Sequence, residues 1–179
     1  GIMKVLLLKY HDLDLCSLPG GFVFNDEDLH DAAVRVLYER THLSNIFFFF
    51  FQAFGDRNRT ENNAHRVLLA SKHIEVPKDH WTFQRFITVG YCCLIDFSLV
   101  GSFPNTIIEE CKWFEVNDLP KMAFDHEEII KQGLEFIRRN IDTQIVASSL
   151  LPEKFTMKEL QTVYEIVLGE KFRRNNGAK

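Results

Sequence analysis

The stretch from Leu18 to Leu43, LPGGFVFNDEDLHDAAVRVLYERTHL, constrains this chain more than any other. Its second half places Leu29, Ala32, Ala33, Val36 and Leu37 at helical spacing, which predicts an amphipathic helix. Asn25 or Asp26 is expected to cap that helix, and acidic residues crowd its first turn, where the helix dipole favours them. Ahead of it, Gly20 and Gly21 permit backbone conformations that other residues resist and let a ligand approach the chain closely. A Pro-Gly-Gly turn alone is a weak signal. Its strength here comes from Glu27 and Arg35, which follow at fixed distances.

With those residues in view, the stretch resembles the Nudix box, the loop–helix motif of the Nudix hydrolase superfamily. The family pattern is Gly-x5-Glu-x7-Arg-Glu-U-x-Glu-Glu-x-Gly-U, where U is apolar. Gly21, Glu27, Arg35, Leu37, Glu39 and Leu43 match it, whereas Val36 and Arg40 replace glutamates and His42 replaces glycine. The resemblance implies that Glu27 and Arg35 tie the loop to the helix.

The replaced positions carry the chemistry. At about 100° per residue, positions 36, 39 and 40 project into one arc about 100° wide. Three carboxylates there would cradle a divalent cation, because Mg²⁺ takes hard oxygen ligands. Here the arc holds a valine, one glutamate and an arginine. A fixed guanidinium adds positive charge where the cation would sit, and two unit charges about 4 Å apart repel by roughly 4 kcal/mol at an effective dielectric near 20. The expectation is no metal, no catalytic residue and no metal-assisted pyrophosphate hydrolysis by the usual Nudix route. If the chain is active after all, Glu27 and Glu39 are the candidates, with Mg²⁺ and further carboxylates such as Glu109 or Glu110. Glu39 has a plainer reading too, as half of a salt bridge on the helix surface.

A length of 179 residues suits one sizeable domain and a small second one. The net charge of -4 excludes a general polyanion binder, so any nucleic-acid contact must come from a local basic patch. Cys16, Cys92, Cys93 and Cys111 lack metal-ligand spacing and read as reduced core thiols of a cytoplasmic protein. No signal peptide is read, and the apolar runs are too short to span a bilayer.

Along the chain, Ile2–Tyr10 and Ile46–Phe54 are predicted strands. Phe54-Gly55-Asp56-Arg57-Asn58-Arg59 is similar to a Phe-Gly-Asp-Pro-x-Arg stretch of one Nudix subgroup, the Nudix-related transcriptional regulators. Asp56, Arg57 and Arg59 are candidates for a phosphate or a sugar hydroxyl, or form a solvated polar turn. Residues 60–84 read as an inserted polar helix and loop, anchored by Trp81 and Phe83. Arg85–Ile95 reads as a long central strand, and Thr106–Val116 as another. Leu119-Pro120-x-Met122-Ala123-Phe124-Asp125-His126 resembles the subgroup's Leu-Pro-x-Leu-Ala-Phe-Asp-His signature. Asp125 is expected to cap a helix running from about His126 to Asn140, and His126 either faces the ligand or is a hydrogen-bonded structural histidine.

A second unit is expected from about Leu150. Thr156 and Glu159 form a capping box, Leu160, Val163, Tyr164 and Val167 share a face, and Gly169 stands where a helix ends. Phe155–Gly169 resembles the opening of the winged helix-turn-helix of the same regulators. Lys158, Lys171, Arg173, Arg174, Asn175 and Asn176 are the candidate DNA contacts, since arginine and asparagine bind phosphates and read base edges. The alternative is a solvated basic tail. Gly177-Ala178-Lys179 is too short for a recognition helix and wing but resembles a piece of the family's wing strand, so residues of a longer chain are expected to be skipped after Asn176.

The expected fold is therefore an α/β (α+β) Nudix fold, a mixed sheet flanked by helices, over residues 1–145, with an incompletely represented winged-helix domain over 150–179. The resemblance implies a DNA-binding transcription regulator, a homodimer on operator DNA. Its degenerate Nudix domain would sense a sugar such as arabinose or an ADP-ribose-type nucleotide. Gly20, Gly21, Glu39, Phe54, Asp56 and Arg57 are the candidate effector contacts. The rival reading is a Nudix pyrophosphatase acting on ADP-ribose or a nucleoside diphosphate. A third is a ligand-binding protein with no DNA function.

Overall fold

The computed structural model describes residues 1–59, 64–96, 109–141, 150 and 155–172, with the side chain of Glu109 excepted. Leucine-rich β1 (Lys4–Tyr10) lies at the centre of a three-stranded antiparallel sheet between β2 (Cys16–Ser17) and β5 (Glu109–Glu115). Leu7 of β1 faces Lys112 of β5, and Leu8 faces both Cys111 and Ser17. The second sheet is an antiparallel pair, β3 (Phe49–Phe54) with β4 (Thr88–Cys92). All these ladders are antiparallel, and among the described residues the one parallel pairing is an isolated bridge between Cys16 and Met122.

Four helices complete the described residues: α1 (Leu29–Thr41), α2 (Ala64–Ser71), α3 (His126–Arg139) and α4 (Met157–Leu168). One face of α3 buries Ile129, Ile130 and Ile137. Ile130 joins Leu7 and Cys16 in one core cluster, and Ile137 joins Leu94, Ile141 and Val167 in another. Because those positions lie at opposite ends of α3, the helix links the sheet around β1 to α4. Val163, Tyr164 and Leu168 of α4 pack on that second cluster, and Arg138 Nε donates to the Val167 carbonyl at 3.1 Å. The Thr156–Glu159 capping box is formed, and Gly169 ends α4 at φ 73°.

Several expectations are corrected. The N-cap of α1 is Asp28 rather than Asn25 or Asp26, and Leu29 faces solvent. The strand expected over Arg85–Ile95 is only Thr88–Cys92, and it pairs with β3 alone among the described residues. Arg85–Ile87 stay outside the ladder, and the Phe86 carbonyl is taken by a guanidinium instead. Gly90 lets Phe51 and Phe54 cross close to β4, since a Cβ there would lie 2.6 Å from Phe51. The four cysteines are free, though only Cys16 is fully buried. Burial pushes the Cys92 and Cys93 thiols up to about 11 and about 12. Residues 106–108, the crossover from Asp142, and Arg173 to Lys179 lie outside the described residues. Among the described residues no helix is long and apolar enough to cross a membrane.

Candidate functional site

Arg35 organises the loop before α1. Its Nε and Nη2 donate to the Glu27 carboxylate at 2.8 and 2.6 Å, and Nη2 also donates to the Phe22 carbonyl at 2.8 Å. Its Nη1 reaches both oxygens of Glu39 at 3.2 Å, and its guanidinium lies 4.0 Å over the Phe24 ring. Glu27 also accepts from the Phe24 N–H at 2.9 Å. The Arg35 hydrogen bonds, then that amide, hold the Glu27 carboxyl down at about 2. Glu27 thus ties loop to helix, and Glu39 is the outer half of an i,i+4 ion pair.

The replaced positions are equally informative. A Cβ on Gly21 would lie 2.6 Å from Cγ2 of Val36, so the valine side chain occupies the space against that glycine. The close approach that Gly21 permits is therefore made by Val36, and neither Gly20 nor Gly21 has positive φ. His42 ends α1 in the left-handed conformation at φ 57° and ψ 16°, a region that favours glycine.

A Nudix fold implies a divalent cation at this helix, and the donor set does not fit one. Of the three arc positions only Glu39 is a carboxylate, and it shares the Arg35 guanidinium. Glu27 is committed to Arg35, and Glu110 is paired with Lys112 at 2.6 Å. Among the described residues no group of three or more His, Cys, Asp or Glu is placed to hold a metal ion.

The turn after β3 divides its polar residues between two jobs. Asp56 accepts from the Asn58 N–H at 2.8 Å, an Asx turn that shapes the loop. Arg57 is exposed. Arg59 is not a ligand contact: its side chain is 4 % exposed and its donors are spent within the protein. It forms a fork on Asp125 at 2.9 and 2.8 Å and donates to the Thr88 hydroxyl and the Phe86 and Phe54 carbonyls. Asp125 occupies the N-cap position of α3 without making the expected side-chain cap bond, because its carboxylate takes Arg59. Burial would raise the Asp125 carboxyl, but hydrogen bonds from Arg59 and its charge bring it below the ordinary value.

His126 is structural. Its Nδ1 accepts from the Leu18 N–H at 3.0 Å, fixing the segment that leads into Gly20 and Gly21. Burial holds the ring down at about 4, so it is neutral at pH 7. Beside it Phe124, at φ 55°, packs on His65 and His126 with centroids 4.5 and 5.2 Å apart.

An aromatic cluster that sequence reasoning missed joins the halves of the site. Phe22, Trp81 and Phe86 meet with centroids 5.0, 5.4 and 5.9 Å apart. Next to Phe86, Ile87 lies against Gly55. Phe22, which follows Gly21, meets Phe86, whose carbonyl shares the Arg59 guanidinium with that of Phe54, while Glu39 faces Arg35. The signal in the sequence was the apolar run Phe22-Val23-Phe24 in a loop that leads into a polar helix start. Of the candidate DNA contacts, Lys158 lies on α4 and Lys171 just beyond it, whereas Arg173, Arg174, Asn175 and Asn176 lie outside the described residues.

Residues 3–133 match the NUDIX domain model. The chain belongs to the NUDIX family. Behind that domain, residues 147–177 match the NrtR DNA-binding winged helix domain. The NUDIX chain is 29% identical over 185 residues to the "ADPR responsive transcriptional repressor NtrR" of Acinetobacter baylyi, covering 97% of this chain and 64% of that protein. It thus spans less than two thirds of that repressor's length. An ADP-ribose pyrophosphatase of Methanocaldococcus jannaschii is 26% identical over 136 residues, 74% of this chain and 67% of that protein. The crystal structure of Shewanella oneidensis NrtR superposes with a TM-score of 0.67 at 26% identity, covering 95% of this chain and 72% of that one. The expected architecture, a mixed α/β Nudix fold with a winged-helix segment behind it, stands.

Proposed function

We propose that this chain is the sensing domain and part of the DNA-binding domain of a transcription regulator, one that binds an ADP-ribose-type nucleotide without hydrolysing it. The observation that carries the reading is the NrtR winged-helix match directly behind a Nudix helix whose metal arc is Val36, Glu39 and Arg40. Its similarity to an ADP-ribose-responsive repressor favours a nucleotide over a sugar as effector. Residues 1–145 would form the sensing unit and 150–179 the start of the DNA-binding unit. A homodimer would place two such units on paired half-sites of operator DNA. The effector acts by binding one arrangement of that dimer more tightly than another.

The test uses the full-length protein. Anisotropy of a labelled palindromic fragment from upstream of its own operon should show salt-dependent binding, weakened about five- to tenfold or more by Arg174→Ala and altered by ADP-ribose. In parallel, ADP-ribose incubated with the protein and Mg²⁺ should remain intact. Conversion to AMP and ribose 5-phosphate, lost in Glu39→Gln, would establish the pyrophosphatase reading instead. Absence of any DNA binding would leave a ligand-binding protein.

A further inference from the structure

We infer that Phe22, Trp81 and Phe86 form the surface on which the base of the effector stacks, with the phosphates directed to Arg57; this rests on the nucleotide reading above. Phe22 and Trp81 are both 52 % exposed, an unfavourable placement for large rings that nothing in the packing of the described residues relieves. Each ring is nonetheless held. The Phe22 backbone is fixed by Arg35 through its carbonyl at 2.8 Å. The Phe86 carbonyl is fixed by the buried Arg59, also at 2.8 Å. Trp81 opens a short 3-10 turn, Trp81–Phe83, in which the preceding His80 side chain accepts from the Thr82 N–H. Two segments, the loop at Phe22 and the stretch from Trp81 to Phe86, thus present three aromatic groups in a fixed array, as a stacking surface requires.

The margins of this array match the rest of a nucleotide. On one side Phe22 continues directly from Gly21, at the start of the Nudix box. On the other, Ile87 stands where a Cβ on Gly55 would come within 3.7 Å of it, and Gly55 opens the turn carrying Arg57. Arg35 and Arg59 are both engaged within the protein, whereas Arg57 is exposed and has no hydrogen-bond or ion-pair partner among the described residues. The exposed rings of Phe22 and Trp81, inclined at 69° to each other, each leave room for a base to stack, and with an unused cation on the turn after Gly55 they suit a ligand that is aromatic at one end and anionic further along.

The test is calorimetric titration of the full-length protein with ADP-ribose and with ribose 5-phosphate, which lacks the base. Trp81→Ala should weaken ADP-ribose about ten- to a hundredfold and ribose 5-phosphate less than about twofold, the loss expected for one stacked base. Trp81→Phe should restore most of the ADP-ribose affinity, and Arg57→Gln should weaken both ligands. ADP-ribose bound equally well by Trp81→Ala and the unaltered protein would overturn the platform while leaving the nucleotide reading intact. If the unaltered protein fails to bind ADP-ribose, the parent reading falls, and AMP and GMP then decide the platform. Binding of either that Trp81→Ala loses supports it, and binding of neither overturns it.

Discussion

Two arginines near the site carry the same charge into different surroundings, and the difference decides what each does. Arg35 is partly exposed and clips a loop, whereas Arg59 is buried and joins three segments through five acceptor atoms. Removing one partner of a buried pair leaves an uncompensated charge, so Arg59→Met should lower the unfolding free energy by about 3 kcal/mol, read from urea denaturation. His42 offers the opposite change. A left-handed residue with a Cβ costs about 1–2 kcal/mol, and glycine avoids that cost at some expense in chain entropy. His42→Gly should therefore raise stability by about 0.5–1 kcal/mol, even after losing the Tyr38 ring 5.6 Å away. His126 titrates at about 4 in the folded chain, below the ordinary histidine value of 6.5. The unfolded chain therefore binds the extra proton first as the solution is acidified. Stability is full above about pH 6.5 and falls as pH drops to about 4, by at most about 3 kcal/mol. Unfolding midpoints across pH 4 to 7 should slope less in His126→Asn.

At the scale of elements, the parts legible in the sequence are those whose causes are local. The start of α4 needs only Thr156 and Glu159, three residues apart, and its end needs only Gly169. Thr156→Ala should cost about 1 kcal/mol and raise amide exchange in the first turn of α4. The clip between Glu27 and Arg35 was legible through the resemblance to the Nudix box, whose spacing keeps both residues in one loop–helix unit. What could not be read depends on distant partners. Asp125 looks like an N-cap because nothing nearby announces Arg59, 66 residues earlier in the chain. The strand through Arg85–Ile95 looks long because its apolar run is long, yet Arg59 takes the Phe86 carbonyl and the ladder begins only at Thr88. The aromatic array likewise draws Phe22 and the pair Trp81 and Phe86 from two segments about 60 residues apart.

For the molecule as a whole, α3 is the element that touches both ends of the proposed function. At its start His126 holds the segment before Gly20, and near its end Ile137 and Arg138 hold α4. If a ligand at the first end is to alter DNA binding at the other, this helix is a physical route between them. Arg138→Ala should leave ADP-ribose affinity within about twofold and reduce the change in operator affinity that ADP-ribose produces, a coupling term commonly worth about 1–3 kcal/mol. Anisotropy titrations with and without the nucleotide measure both quantities on one sample. The methyl of Val36 lodged on Gly21 sets a last condition on such a protein. A glutamate introduced at 36 alone would find Gly21 still without a side chain beside it, but Arg40 would repel the ion it was meant to hold. No single exchange rebuilds the seat. On the sensor reading, the receptor is thereby kept from drifting into consuming its own signal.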